Sequence, residues 1–84
     1  MHYLYILRSK KDGNHYVGVT SDLEKRLKYH NSGQVRSTKR RIPFNIIYSE
    51  KFDSVVEARV REVYLKSYKG SGEKFKIIEN CGIV

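Results

Sequence analysis

The sequence predicts one α+β domain, a three-stranded, mainly antiparallel sheet flanked by helices in the order β-β-α-β-α-α. Three observations carry that prediction. An aromatic-rich apolar run, YLYILRS, is joined to a second β-prone run, HYVGVT, through KKDGN, where Asp12-Gly13 marks a hairpin. Two Ser-x-x-Glu words, Ser21/Glu24 and Ser54/Glu57, each open a stretch with helical spacing of apolar residues. Between those stretches FNIIYSEKF has the composition of a third strand. A chain of 84 residues holds one such domain, which excludes catalysis in a cleft between two domains.

In the hairpin, a two-residue turn at Asp12-Gly13 sets Tyr5 opposite Thr20, Leu7 opposite Gly18 and Ser9 opposite Tyr16. Tyr5 and Tyr16 then project from one face, with Gly18 between their rows. A four-residue loop keeps that parity, whereas three or five residues break it. Ser21 and Glu24 form a capping box for a helix through Asn31, stopped at Gly33. At about 100° per residue, Leu23 and Leu27 face the core. Arg26 and His30 line the core-facing margin, while Glu24, Lys25 and Lys28 point outward. Gln34 to Pro43 lacks apolar periodicity and is expected to be an exposed loop. Ser54 and Glu57 open the second helix, whose stripe of Val56, Val60, Val63, Tyr64 and Ser67 is expected to face the sheet, ending near Gly70. Ser71 caps a short third helix that brings Phe75, Ile77 and Ile78 to the core.

The charge balance bears on function. Seventeen Lys and Arg against nine Asp and Glu leave a formal +8 and a pI near 9.7. Such a surface gains by releasing the counterions condensed on a polyanion, which favours nucleic acid over an acidic protein or a membrane leaflet. The charge is clumped, because Arg36, Lys39, Arg40 and Arg41 fall inside one short stretch. No apolar run approaches the roughly 20 residues of a membrane span, and the opening MHYLYIL lacks the features of a secretory signal, so the cytoplasm is the expected location. One cysteine, Cys81, forms no internal disulfide and anchors no structural zinc site.

Several catalytic words are absent. Without GxxxxGK[ST], HExxH, GxSxG or paired cysteines, P-loop nucleotide hydrolysis and zinc chemistry have no support. What remains is a set of polar and aromatic side chains directed toward one region: Tyr5, Tyr16, Arg26, His30 and Glu57. Each has a structural and a chemical reading. The two tyrosines are core aromatics with surface-reaching hydroxyls, or phenols that hold an anionic oxygen and a water. Arg26 pairs with Asp22 or Glu24, or presents its planar fork to a phosphate oxygen. His30 is a satisfied boundary residue, or a group that exchanges protons near neutrality. Glu57 is the third residue of a capping box, or a carboxylate offered to a divalent ion. Tyr29, Tyr48 and Tyr68 flank the surface or pack within it.

Taken together, these residues resemble the GIY-YIG endonuclease superfamily, in particular its small stand-alone members and the nuclease domain of the UvrC excision-repair protein. The first motif reads Tyr3-Leu4-Tyr5 and the second Tyr16-Val17-Gly18. SDLEKRLKYHNSG is similar to the stretch around the family's catalytic arginine, which falls on Arg26, with its His or Tyr on His30. TKRRIPFNIIYSE is similar to the following loop and strand, and SVVEARVREVYLKSYKG to the helix bearing the metal-binding glutamate, which the match assigns to Glu57. The first word departs from GIY, and the family's late asparagine has no matched counterpart.

The resemblance implies endonucleolytic hydrolysis of DNA phosphodiesters with a single Mg²⁺ or Mn²⁺ ion, structure-selective or weakly sequence-specific. Glu57 would hold the ion, Arg26 would offset transition-state charge, and Tyr5 or Tyr16 would orient or deprotonate water with help from His30. Gly18 would admit the nucleic-acid backbone, and Arg36, Lys39, Arg40 and Arg41 would grip flanking phosphates. DNA is favoured over RNA as the partner, and no membrane is involved. The alternative is a nucleic-acid-binding module that keeps the fold and cuts nothing.

Overall fold

The structure, a computed structural model, describes residues 1–67 and 69–81. Its elements are β1 (His2–Ser9), β2 (His15–Thr20), α1 (Leu23–Asn31), β3 (Phe44–Phe52), α2 (Val55–Lys66) and α3 (Ser71–Cys81), with one 3₁₀ turn at Lys39–Arg41. The expected class and element order hold. The strands are wholly antiparallel, in the order β2-β1-β3.

The hairpin register differs from the two-residue-turn expectation. Tyr5 pairs with Gly18, Leu7 with Tyr16 and Tyr3 with Thr20. The strands close across Ser9 and Asn14, joined by a 2.9 Å backbone hydrogen bond, so the loop has four residues. Side chains explain why the longer loop wins. Ser9 Oγ accepts from the Lys11 and Asp12 amides at 3.1 and 3.2 Å, and Asp12 Oδ1 accepts from the Asn14 amide at 2.9 Å. Gly13 then takes φ +73°, where glycine is favoured. Parity survives, and Tyr5 and Tyr16 share a face.

Alternation along β1 splits the core. Leu4 and Ile6 point to one side with Val17, where Leu65 of α2 and Ile77 and Ile78 of α3 cover them. Tyr5 and Leu7 point to the other with Phe44, beneath Leu23 and Leu27 of α1. A bulge in β3, where Ile6 pairs with Tyr48 but Leu7 with Ile46, lets β3 feed both clusters.

Four expectations about the helices need correction. Asp22, not Ser21, caps α1, accepting from the Lys25 amide at 3.1 Å. In α2 the buried residues are Ala58 and Leu65, while Val56, Val60 and Val63 lie outside, Val60 at 65% exposure. Ala58 and Leu65 lie within about 20° of each other on the helix, and the three valines fall on the opposite side. The small Ala58 side chain brings the α2 backbone close to the sheet, which a valine stripe would not permit. In α3, Ile77 and Ile78 pack on the core as expected, but Phe75 is 70% exposed. The helix α2 also ends earlier than Gly70, at Lys66, where the Ser67 amide donates to the Tyr64 carbonyl at 3.1 Å.

A guanidinium clamp fixes the two last helices. Arg61 donates to Glu50 of β3 at 2.9 and 3.1 Å and to Glu73 of α3 at 3.0 and 2.9 Å, joining strand and helices through paired, charge-assisted bonds. Glu50 is braced in turn by the Tyr48 hydroxyl.

The segment between α1 and β3 is not wholly exposed. Thr38 is buried, and Arg41 is half-buried, its Nε donating to Asp12 at 3.3 Å and its Nη2 to the His15 carbonyl at 3.2 Å. Among the described residues no helix is long and apolar enough to cross a membrane.

Candidate functional site

The α1 face of the sheet carries a chain of polar contacts. Arg26 Nε donates to the Tyr5 hydroxyl at 3.2 Å, and that hydroxyl lies 3.1 Å from His30 Nε2. On the far side of the ring, His30 Nδ1 is 3.0 Å from Thr38 Oγ1, and the Thr38 hydroxyl donates to the Val35 carbonyl at 3.4 Å. The donor count orients the series. With its own hydrogen directed to Val35, Thr38 accepts from Nδ1–H, which leaves Nε2 as an acceptor for the Tyr5 hydroxyl. Tyr5 is 1% exposed and His30 and Thr38 are 0% exposed, so each polar group here requires the partner it has.

Tyr16 completes the cluster. Its ring centroid lies 5.0 Å from that of His30 and 6.4 Å from that of Tyr5, with tilted or edge-on planes. Gly18, cross-strand from Tyr5, serves a steric purpose. A Cβ there would sit 2.5 Å from the Tyr5 hydroxyl oxygen, so the space expected for a nucleic-acid backbone is occupied by the phenol itself.

Burial sets the charge states. It pushes the Tyr5 phenol above its usual range, and the hydrogen bond from Arg26 offsets only part of that rise. Burial, followed by the Arg26 charge, drives His30 down to about 4. Near neutrality the pair is therefore a phenol donating to a neutral imidazole. The Arg26 guanidinium, raised by its bond to Tyr5, stays charged.

Sequence reasoning places Tyr5, Tyr16, Arg26 and His30 together, and the structure does so. Glu57 does not join them. Its amide donates to the Ser54 hydroxyl at 3.2 Å, and its exposed side chain borders a surface groove with Phe52, Val60, Arg61, Tyr64 and Glu73. The carboxylate at the cluster is Glu62. Its side chain is 14% exposed, and it accepts from Lys66 Nζ at 3.0 Å, with Arg59 Nη1 at 3.7 Å. Lys66 Nζ in turn lies 5.8 Å from the Tyr16 ring centroid, and the Glu62 charge acts on the Tyr5 hydroxyl. Because β2 is an edge strand, this pair reaches the α1 face around it from α2 on the opposite side. Five residues along a helix turn a side chain by about 140°, which separates Glu57 from Glu62. The signal that would have found Glu62 is the i, i+4, i+7 spacing of Ala58, Glu62 and Leu65.

Of the other residues singled out, Arg36, Lys39 and Arg40 are exposed. Arg41 is pinned to Asp12 and His15. Tyr29 sits under Arg26, whose Cζ is 5.2 Å from its centroid, and Tyr48 packs against the core. Tyr68 lies outside the described residues.

Comparison with known proteins bears on the family and the fold. A sequence profile of the GIY-YIG catalytic domain matches residues 1–76. A UPF0213 protein of Staphylococcus saprophyticus is 42% identical over 78 residues, covering 92% of this chain and 93% of its own length. One of Clostridium perfringens is 39% identical over 84 residues, covering 99% and 88%. The solution NMR structure of a UPF0213 protein from Bacillus halodurans superimposes with a TM-score of 0.58 at 34% identity, over 98% of this chain and 87% of that one. The match in sequence spans residues 1–76 and the match in fold nearly the whole domain: the chain belongs to the GIY-YIG family.

Proposed function

We propose that the protein is a divalent-metal-dependent endonuclease that hydrolyses phosphodiester bonds in DNA, with Glu62 in the role expected of Glu57. One observation carries the proposal: an arginine, two phenols and a neutral imidazole gather on one face, beside a largely buried carboxylate whose partner Lys66 lies 5.8 Å from the Tyr16 ring. Purely structural polar groups have little reason to gather this way around a surface that opens toward a basic segment.

The donor set suits a hard cation. Among the described residues no three His, Cys, Asp or Glu side chains form a closed cage, and Glu62 with the phenolic oxygens offers oxygen ligands only. A single carboxylate fits Mg²⁺ or Mn²⁺, which retain much of their water. Glu62 would hold the ion, exchanging its contact with the exposed Lys66 ammonium for it. A bound ion supplies Lewis-acid charge to the phosphate and lowers the cost of ionising water.

The chain's own residues account for the rest. Arg26 spends Nε on Tyr5, so its Nη groups are the part that faces a non-bridging phosphate oxygen and offsets the charge that builds as phosphorus becomes five-coordinate. Tyr5, held protonated by burial, is a poor base and serves to fix Arg26 and to relay a hydrogen bond to His30. Tyr16 lies nearer solvent and has no hydrogen-bond partner for its hydroxyl among the described residues, so it is the phenol that orients the attacking water. His30 stacks edge-on against Tyr16 and holds both rings in place. Arg36, Lys39 and Arg40 bind flanking phosphates.

The test is incubation of the purified protein with branched, nicked, single-stranded and duplex DNA, and with RNA of the same forms, with and without Mg²⁺ or Mn²⁺. Cutting that needs the metal and disappears in Arg26→Ala, with binding retained, is the expected result. Salt-sensitive binding without cutting under any condition would leave a nucleic-acid-binding module in place of the nuclease.

A further inference from the structure

On the opposite side of β2 from the tyrosine cluster, a second feature stands apart from the catalytic residues. A cavity of about 410 Å³ opens between the start of β2, the 3₁₀ turn and α3, lined by Asn14, His15, Arg41, Lys74, Phe75 and Ile78. Three features of this cavity are unusual. The first is its charge. Arg8, Lys74 and Arg41 act together on the His15 imidazole, which burial and these three cations hold below its usual range. Among the described residues lining the cavity none is a carboxylate, and Asp12 nearby engages Arg41 at 3.3 Å. The second is an orphan: His15 Nε2 is buried without a hydrogen-bond partner among the described residues. The third is Phe75, which is 70% exposed while Ile77 and Ile78 of the same helix serve the core.

We propose that this cavity binds one unpaired nucleotide of a nucleic-acid strand, its base against the Phe75 ring and its phosphate between Lys74 and Arg41. Lys74 and Arg41, in a lining that holds no carboxylate among the described residues, select a phosphate, because bringing a phosphate in offsets their mutual repulsion. An exposed aromatic ring beside such cations is the arrangement on which bases stack, independent of sequence. A fully paired strand keeps its bases inside the duplex and has none to offer, so the cavity discriminates for a strand that is single, frayed or branched. His15 and Tyr16 are adjacent in β2 with side chains on opposite faces, so a strand held here passes over the β2 edge into the tyrosine cluster. This inference rests on the nuclease reading and narrows its substrate to nucleic acid with an unpaired nucleotide beside the cut.

The chain contains no tryptophan, so Phe75→Trp places a single reporter in the cavity. The variant, combined with Glu62→Gln, is titrated in EDTA with a short oligothymidine, the same oligomer carrying abasic sites, a blunt duplex, and the RNA counterpart of the single strand. The indole emission should be quenched by the single strand and left unchanged by the abasic oligomer and the duplex. The RNA arm shows whether the sugar matters. Phe75→Ala should weaken single-strand binding roughly 5- to 100-fold without affecting the abasic oligomer. Lys74→Glu should weaken both and reduce the salt dependence by about one phosphate contact.

An indole that ignores single strands while a labelled oligomer still binds would overturn the proposal, as would equal quenching by duplex. Blue-shifted emission before any nucleic acid is added, fixed or growing with protein concentration, would overturn it in favour of cover by this chain or a second copy. The measurement involves no cleavage. A protein that cuts DNA with an unresponsive indole keeps the nuclease reading and loses this one, and quenching in a protein that cuts nothing does the reverse.

Discussion

Nδ1 of His30 lies 3.0 Å from Oγ1 of Thr38, and both residues are fully buried. This contact decides which ring nitrogen carries the hydrogen, and through it the direction of the bond from Tyr5. Thr38→Val removes the acceptor and leaves a buried N–H unpaired, at a cost of about 1–3 kcal/mol. It also frees the ring to shift its hydrogen to Nε2, which then opposes the Tyr5 hydroxyl. Long-range ¹H–¹⁵N spectra of the imidazole should show the Nδ1–H tautomer in the native protein and in Thr38→Ser, and a changed or mixed pattern in Thr38→Val. A stability loss with the tautomer unchanged would reduce Thr38 to packing.

The same burial makes the fold acid-sensitive through His30. Its folded value of about 4 lies below the ordinary 6.5, so the unfolded chain binds the proton more readily. Stability from this group is complete above about pH 6.5 and is lost as pH falls toward 4. The span corresponds to about 3 kcal/mol, an order-of-magnitude figure. Urea unfolding at pH 7 and pH 4.5 should show a steep loss in the native protein and a shallower one in His30→Gln, whatever the variant's starting stability.

Gly18→Ala probes the space behind Tyr5. The new methyl would fall 2.5 Å from the hydroxyl oxygen and 2.6 Å from Cζ, so the whole phenol must move, and removing the hydroxyl in Tyr5→Phe does not relieve the clash. Overpacking of this kind costs about 1–3 kcal/mol. Thermal unfolding should fall by several degrees in Gly18→Ala and in the double variant alike.

The inverted face of α2 makes an equally plain prediction. Val60→Gln lies on the exposed side and should change stability by no more than about 0.5 kcal/mol. Ala58→Val sits against the sheet with no room to spare, and about 1–3 kcal/mol of destabilisation is expected. Denaturant midpoints for the two variants check both.

What could be read from the sequence divides along a physical line. Local signals worked: the strand runs, the parity of Tyr5 and Tyr16, the Ser54 cap, and the inward turn of Arg26 and His30 all depend on neighbours within a few residues. The loop length missed by two residues because Ser9 and Asp12 supply bonds that a turn dipeptide does not reveal. The face of α2 was illegible because apolar count favours the valines, whereas the sheet selects close approach through Ala58. Thr38 was hidden in a basic stretch read as exposed, since its burial depends on His30 across the fold.

The placement of the carboxylate is the point on which the chemistry turns. The most direct measurement is the single-turnover rate of Mg²⁺-dependent DNA cleavage in Glu62→Gln and Glu57→Gln, with folding and DNA affinity checked in both. Loss of cleavage by two or more orders of magnitude in Glu62→Gln, with Glu57→Gln within a few-fold of the native rate, is the expected result. An inactive Glu57→Gln beside an active Glu62→Gln would contradict it.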